Sequence, residues 1–180
     1  MAGRVGPDGA PVTGAAFRAA MGRWATGVSV VTAAAGPVDA GLTVNALVSV
    51  ALEPPSLLVS LQRDVDTLPV LRKAGAFAVS FLTADQRALS DRFARPVPAA
   101  EKFRDLAFHR GVTGAALLDG ALAAAECRVV SDTPAFDHAL VVGEVVRLEA
   151  GAERPPLVFY RGAYAEAEPG DRLRLVRRAP

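Results

Sequence analysis

Apolar and polar residues alternate at a two-residue period over residues 41–55, G-L-T-V-N-A-L-V-S-V-A-L-E-P-P. Read as a strand, this puts Leu42, Val44, Ala46, Val48 and Val50 on one face and Thr43, Asn45, Leu47 and Ser49 on the other. The first is a core face. The second carries three short hydrogen-bonding side chains, which suit either solvent or a flat ligand with polar edges. The apolar run 56–61 follows at once. Pro54 and Pro55 fit only the boundary between the two strands, which are expected as neighbours in one sheet.

Residues 1–12 are rich in glycine and proline and are expected to be flexible. Thr13 is placed to cap a helix carrying Phe17, Ala20, Met21 and Trp24 on one face and closed by Gly27. Residues 28–32 then read as a strand and 33–40 as its turn. The polar loop 61–66 opens onto a helix capped by Asp66 or Thr67, running through Lys73 and stopped by Gly75. Residues 76–82 read as a buried strand. Thr83 and Gln86 have capping-box spacing for a helix through Phe93 that buries Leu89 and Phe93.

Between 95 and 118 the pattern breaks into prolines, glycines and short apolar pieces, an irregular connection. Residues 121–130 and 138–149 read as two long strands joined by 131–137, and 157–160 as a last one. The basic tail 167–180 reads as a frayed end. Strands outnumber helices and lack βαβ spacing. The pattern therefore predicts one mainly β domain over 13–166, a closed antiparallel barrel with helices packed outside.

Composition narrows the function. A chain of 180 residues with 51% hydrophobic and 22% charged residues buries a full core. Twenty basic against nineteen acidic residues leave a net charge of +1, and aromatics make up only 6%, so neither a basic field nor stacking platforms favour nucleic acid. The lone Cys127 forms no internal disulfide, and with only His109 and His138 beside it no metal site is expected. Residues 1–12 lack the apolar core of a signal peptide. No apolar run reaches the roughly 18 residues of a membrane span, so a cytoplasmic protein without membrane association is expected. No G-x-S-x-G or strand-linked G-x-G-x-x-G is present to suggest a serine hydrolase or a Rossmann site.

Taken together, T-V-N-A at 43–46, W-A-T-G-V-S-V-V-T at 24–32, S-D-R-F-A at 90–94, E-K-F at 101–103, D-H-A-L-V-V-G-E-V at 137–145 and P-L-V-F-Y-R-G-A-Y at 156–164 form an ordered set. It resembles the flavin reductase family, the short-chain split-barrel enzymes that pass reduced flavin to a partner monooxygenase. The resemblance runs from about residue 17 to 164. It implies a split β-barrel of the FMN-binding type, usually a homodimer with flavin near the subunit interface. It also implies reduction of free FAD or FMN by NADH or NADPH through hydride transfer.

Such chemistry asks the protein for binding and orientation, because both reacting atoms belong to the cofactors. By the resemblance, Thr43, Val44, Asn45 and Ala46 line the isoalloxazine edge. Many members carry serine where Ala46 stands, so only its backbone is assigned. Ser49 shares the polar face.

Gln62, Arg63, Asp64 and Thr67 occupy the place of the phosphate loop, where a helix N-terminus, a cation and a hydroxyl suit an anion, although Asp64 and Asp66 would repel it. Arg92, Phe93 and Lys102 match the R-F-A…K-F pattern near the flavin phosphates, and their cations with Arg63 favour FAD over FMN. His138 is the candidate catalytic residue on the nicotinamide side. Tyr164 stacks on the nicotinamide or adenine, or closes the barrel. Two other readings stay open, a flavin-binding protein without reductase activity and a split-barrel oxidase with tightly held FMN.

Overall fold

The computed structural model describes residue 9 and residues 11–151, 153–168 and 174–176. Helix α1, Gly14–Met21, starts where the sequence places it, with the Thr13 hydroxyl accepting from the Ala16 amide at 3.1 Å. It ends five residues earlier than expected, at a Gly22 cap, because Thr26–Gly27 leave the helix to form strand β1. Strands β2, Ser29–Ala35, and β3, Val38–Val44, form a hairpin about Gly36 and Pro37, with Gly36 at φ +64°. The expected turn over 33–40 is therefore two residues long.

The segment 41–55 is not one strand. It breaks at Asn45 and Ala46 into β3 and β4, Leu47–Leu52, which pairs with β5, Pro55–Gln62, as the expected neighbour. The break and a register shift between Ser49 and Ala51 change the phase. Leu42 and Val44 keep to the core, whereas Leu47 turns inward and Val48, Val50 and Leu52 turn out. The single core face thus holds only for the first half.

Helix α2, Thr67–Ala74, ends at Gly75 in the left-handed region, φ +62°, where glycine carries no Cβ penalty. Strand β6, Ala76–Phe81, is buried almost throughout. The expected capping box of Thr83 and Gln86 opens a 3₁₀ turn, Ala84–Gln86, that continues into α3, Arg87–Ala94. The stretch read as irregular contains α4, Ala99–Phe103, and a small hairpin of β7, Phe108–Arg110, with β8, Ala116–Leu118.

Strands β9, Ala123–Ala135, and β10, His138–Ala150, are longer than expected and meet in a two-residue turn. After β11, Leu157–Tyr160, come β12, Ala163–Glu168, and β13, Arg174–Val176, so part of the tail pairs with β12.

Seven strands form an antiparallel sheet in the order β3-β2-β6-β9-β10-β5-β4. Its two edges, β3 and β4, are consecutive in the chain. Val44 and Leu47 are three residues apart, which bounds their separation at roughly 11 Å. The sheet must therefore curl until its edges nearly meet, but no ladder joins them. The barrel is split, as the resemblance implies, and not closed, as the strand pattern alone suggests; Asn45–Ala46 sit in the split.

Inside the curl, Val31, Val59, Phe77, Val79 and Val141 pack with Leu68 and Leu71, so α2 contributes to the barrel core. Val28 and Val30 face outward into a second core with Leu82, Phe93, Leu118 and Leu157. β2 is buried on both faces, like a central strand. A smaller sheet, β1-β11-β12-β13, flanks the barrel. No helix among the described residues is long and apolar enough to cross a membrane.

Candidate functional site

The split is lined by a cleft of about 560 Å³. Asn45 and Ala46 form one side of it, Arg18 and Trp24 come from α1 and the turn after it, Ser60 from β5 and Phe159 from β11. The Ala46 carbonyl accepts from the Ser60 amide at 3.0 Å, which ties the connecting segment to β5 without closing the ladder. Two aromatic walls beside an amide, a hydroxyl and a guanidinium suit a flat ring with polar edges. Trp24, Arg18, Ser60 and Phe159 were not among the expected ligand residues. Trp24 and Phe159 lie in the quoted motifs at 24–32 and 156–164, but the tryptophan was read only as part of an apolar helix face and Phe159 chiefly as core.

Two residues back along β3, on the outer face, lies a second group. Thr43 donates to the Ser90 carbonyl at 2.6 Å, and the buried Ser90 hydroxyl shares a 2.9 Å hydrogen bond with Tyr164. Burial pushes the Tyr164 phenol up. Lys102 donates to the carbonyls of Gly41 at 3.1 Å and Phe93 at 3.2 Å. Loss of hydration pushes its ammonium down, against the pull of Asp66. An anion here would restore what burial removes. Arg92 donates to the Arg104 carbonyl at 2.9 Å, which fastens α3 to the end of α4.

The third group lies where β5 ends. His138 is the cross-strand partner of Gln62, and its Nδ1 sits 2.8 Å from the Asp137 carboxylate. That hydrogen bond holds the Asp137 carboxyl below its usual range. Gln62, Arg63 and Asp64 border a cleft of about 500 Å³ with Phe136 and Asp137. Along the strands, Thr43 to Asn45 and Ser60 to Gln62 are two-residue steps of about 7 Å each. The split therefore separates the phenol and lysine group from the histidine group by a few strand steps.

Several expected roles change. The Phe93 ring is 1% exposed and packs edge-on against Phe103 at 5.2 Å, so it is a core group and offers a ligand no face. The Val44 and Thr67 side chains are also buried, which leaves their backbones. Ser49 is exposed on β4 but does not line the cleft. Asp66 makes no side-chain cap to α2.

Tyr164 has the Arg87 guanidinium over its ring at 5.3 Å, so that face is taken. It borders a separate cleft of about 600 Å³ with Arg87, Asp85 and Arg154. The two larger clefts are similar in size, and chemistry decides between them. In the Tyr164 cleft the arginines face carboxylates, Arg154 to Asp85 at 3.1 Å and Arg87 to Asp91 at 4.0 Å. The cleft at the split holds Arg18 with aromatic and amide groups.

Cys127 is buried, and burial, with the Glu126 charge adding to it, pushes its thiol up to about 12 and leaves it inert.

Residues 21–168 match the flavin reductase like domain. The chain is 40% identical over 159 residues, 88% of its length and 84% of the relative's, to the reductase component of a 4-nitrophenol 4-monooxygenase/4-nitrocatechol 2-monooxygenase from Rhodococcus opacus. It is 38% identical over 170 residues to an NADH-dependent flavin reductase of a Rhodococcus species, covering 93% of this chain and 92% of that one. Among solved structures, the NADH:FAD oxidoreductase SgcE6 of Streptomyces globisporus C-1027 superposes with a TM-score of 0.83 at 31% identity, covering 89% of this chain and 96% of that one. The split barrel, the ordered motifs and these matches agree: the chain belongs to the flavin reductase family.

Proposed function

We propose that this protein reduces free FAD or FMN with NADH or NADPH and releases the reduced flavin to a separate flavin-dependent monooxygenase. The observation that carries the reading is the split itself. Asn45 and Ala46 stand there with backbone groups outside any ladder, between the aromatic walls of Trp24 and Phe159. A bound flavin supplies the acceptor for a hydride from the reduced nicotinamide and takes up a proton.

The chain's own residues bind and orient. The Asn45 amide donates to and accepts from the ring edge, and Trp24 and Phe159 flank the ring while one of its faces stays open to the nicotinamide. Lys102 and Arg92, with Arg63 and the Thr67 backbone, hold the phosphates, Gln62 and Asp64 border the nicotinamide side of the same loop, and FAD is the preferred flavin. Asp137 fixes the His138 ring by its Nδ1 contact, so that Nε2 meets the nicotinamide side. Moderate contacts of this kind suit a flavin that must leave in each cycle.

Phe17, Met21 and Trp24 near one wall, and Val48, Val50 and Leu52 near the other, form exposed apolar surface beside the cleft. In this reading a second copy covers that surface, giving a homodimer with flavin near the interface, and the protein acts in the cytoplasm.

Trp24 is the one tryptophan of the chain and lines the cleft, so its fluorescence reports occupancy directly. Titrating FAD into the protein is expected to quench it with saturation. Asn45→Ala is expected to weaken the apparent affinity about tenfold, the effect of losing one or two hydrogen bonds to a buried ring edge. Equal affinities for wild type and variant would place the ring elsewhere.

A further inference from the structure

The β9–β10 hairpin turns on Phe136 and Asp137 alone, since His138 pairs directly with Ala135. Phe136 holds φ +57°, a region that glycine enters freely and that crowds any residue with a Cβ. Two-residue hairpin turns with a positive φ at the first position ordinarily take glycine or asparagine there. The strain is not offset by burial, because Phe136 is 90% exposed. A strained aromatic residue with no core to fill points to a ligand for its ring.

The surroundings specify that ligand. Arg63 fastens the tip, its amide donating to the Asp137 carbonyl at 3.0 Å and its guanidinium to the Phe136 carbonyl at 3.5 Å. Beneath the tip lies the cleft bordered by Gln62, Asp64 and Asp137. Gln62 offers one amide, a donor and an acceptor side by side. His138 stands across the ladder from Gln62. The two carboxylates repel an anionic ring and favour one that becomes cationic. A flat ring bearing a carboxamide, neutral on arrival and positive on departure, is the reduced nicotinamide.

We propose that Phe136 is a substrate-positioning residue whose ring stacks on the nicotinamide while the Gln62 amide pairs with its carboxamide. This rests on the reading of the protein as a nicotinamide-dependent flavin reductase. The dihydronicotinamide gives up a hydride, carbon–hydrogen bond electrons included, to the flavin and leaves as the pyridinium cation. Asp64 and Asp137 stand where that charge develops.

The test is steady-state NADH oxidation with saturating FAD by wild type, Phe136→Gly and Phe136→Tyr, with melting curves and sizing of each. Phe136→Gly is expected to melt higher, because glycine relieves the positive φ, and yet to raise KM for NADH about tenfold with KM for FAD unchanged. Phe136→Tyr is expected to keep the wild-type KM. A wild-type KM for NADH in Phe136→Gly would overturn the proposal. So would a raised KM accompanied by a fall in particle mass, which would assign the ring to a contact between copies. If wild type itself oxidises no NADH with any flavin, the reductase reading falls and takes this inference with it; an active wild type beside an indifferent Phe136→Gly sinks the inference alone.

Discussion

Single residues set how closely the site's supports approach the sheet. Gly41 is the clearest case: a Cβ added there would lie 2.7 Å from the Phe93 ring and 3.2 Å from the Val31 carbonyl. Its bare backbone lets α3 settle on β3 and lets Lys102 reach the Gly41 carbonyl. Gly41→Ala is expected to destabilise the fold by about 1–3 kcal/mol, as overpacking does, and to raise KM for FAD because Lys102 loses its seat. A melting curve and a flavin titration check both, and an unshifted melting temperature would contradict the packing argument.

At this scale the sequence was partly legible. Alternation assigned Leu42 and Val44 inward and Thr43 outward correctly, because nothing interrupts β3. It failed at Val48 and Val50, because the break at Asn45–Ala46 and the shift near Ser49 leave no mark in residue type. Trp24 was read as part of the helix face, but α1 ends at Met21 and the tryptophan lies in the turn after it. Helical spacing reads an apolar face without saying what covers it.

Elements carry the next level. The β7–β8 hairpin, which the sequence showed only as broken pattern, is pinned to the end of β10 by one side chain. His109 Nδ1 lies 2.9 Å from Asp119, in the turn after β8, and Nε2 lies 2.8 Å from Glu149 on β10, with Arg147 beside that carboxylate. Hydrogen bonds to Asp119 and Glu149 outweigh desolvation and raise the imidazole above its usual value. The protonated form is thus favoured by folding. Its contribution is complete below the unfolded-state pKa and is lost as pH rises through the higher folded one.

The melting temperature of wild type is therefore expected to fall, relative to His109→Gln, as pH is raised from slightly acid to mildly alkaline. The ring is about half exposed, so the difference amounts to about 1 kcal/mol or less. A wild-type advantage that does not change with pH would contradict the clamp. Glu126 fixes the other end of the hairpin's loop. Burial raises its carboxyl, but hydrogen bonds from Thr113 and Val112, with Arg147 nearby, outweigh this and hold it below the usual range. Such long-range pairs join residues that share no local pattern, and no reading of spacing finds them.

For the whole molecule, strand count and the absence of βαβ spacing fixed a mainly β architecture, and the ordered motifs named the family now matched over residues 21–168. Closure was the point that patterning missed. An alternating strand does not reveal that its two halves belong to opposite edges of one sheet, yet that separation opens the cleft at Asn45 and Ala46. In this account the split is the active feature of the barrel, and flavin-dependent turnover is its consequence. The deciding measurement is NADH oxidation by the purified protein with rising FAD, rising FMN and no flavin. The expected rate saturates with free flavin, FAD the better, and is negligible without it. No acceleration by either flavin, with NADH and NADPH alike, would contradict it.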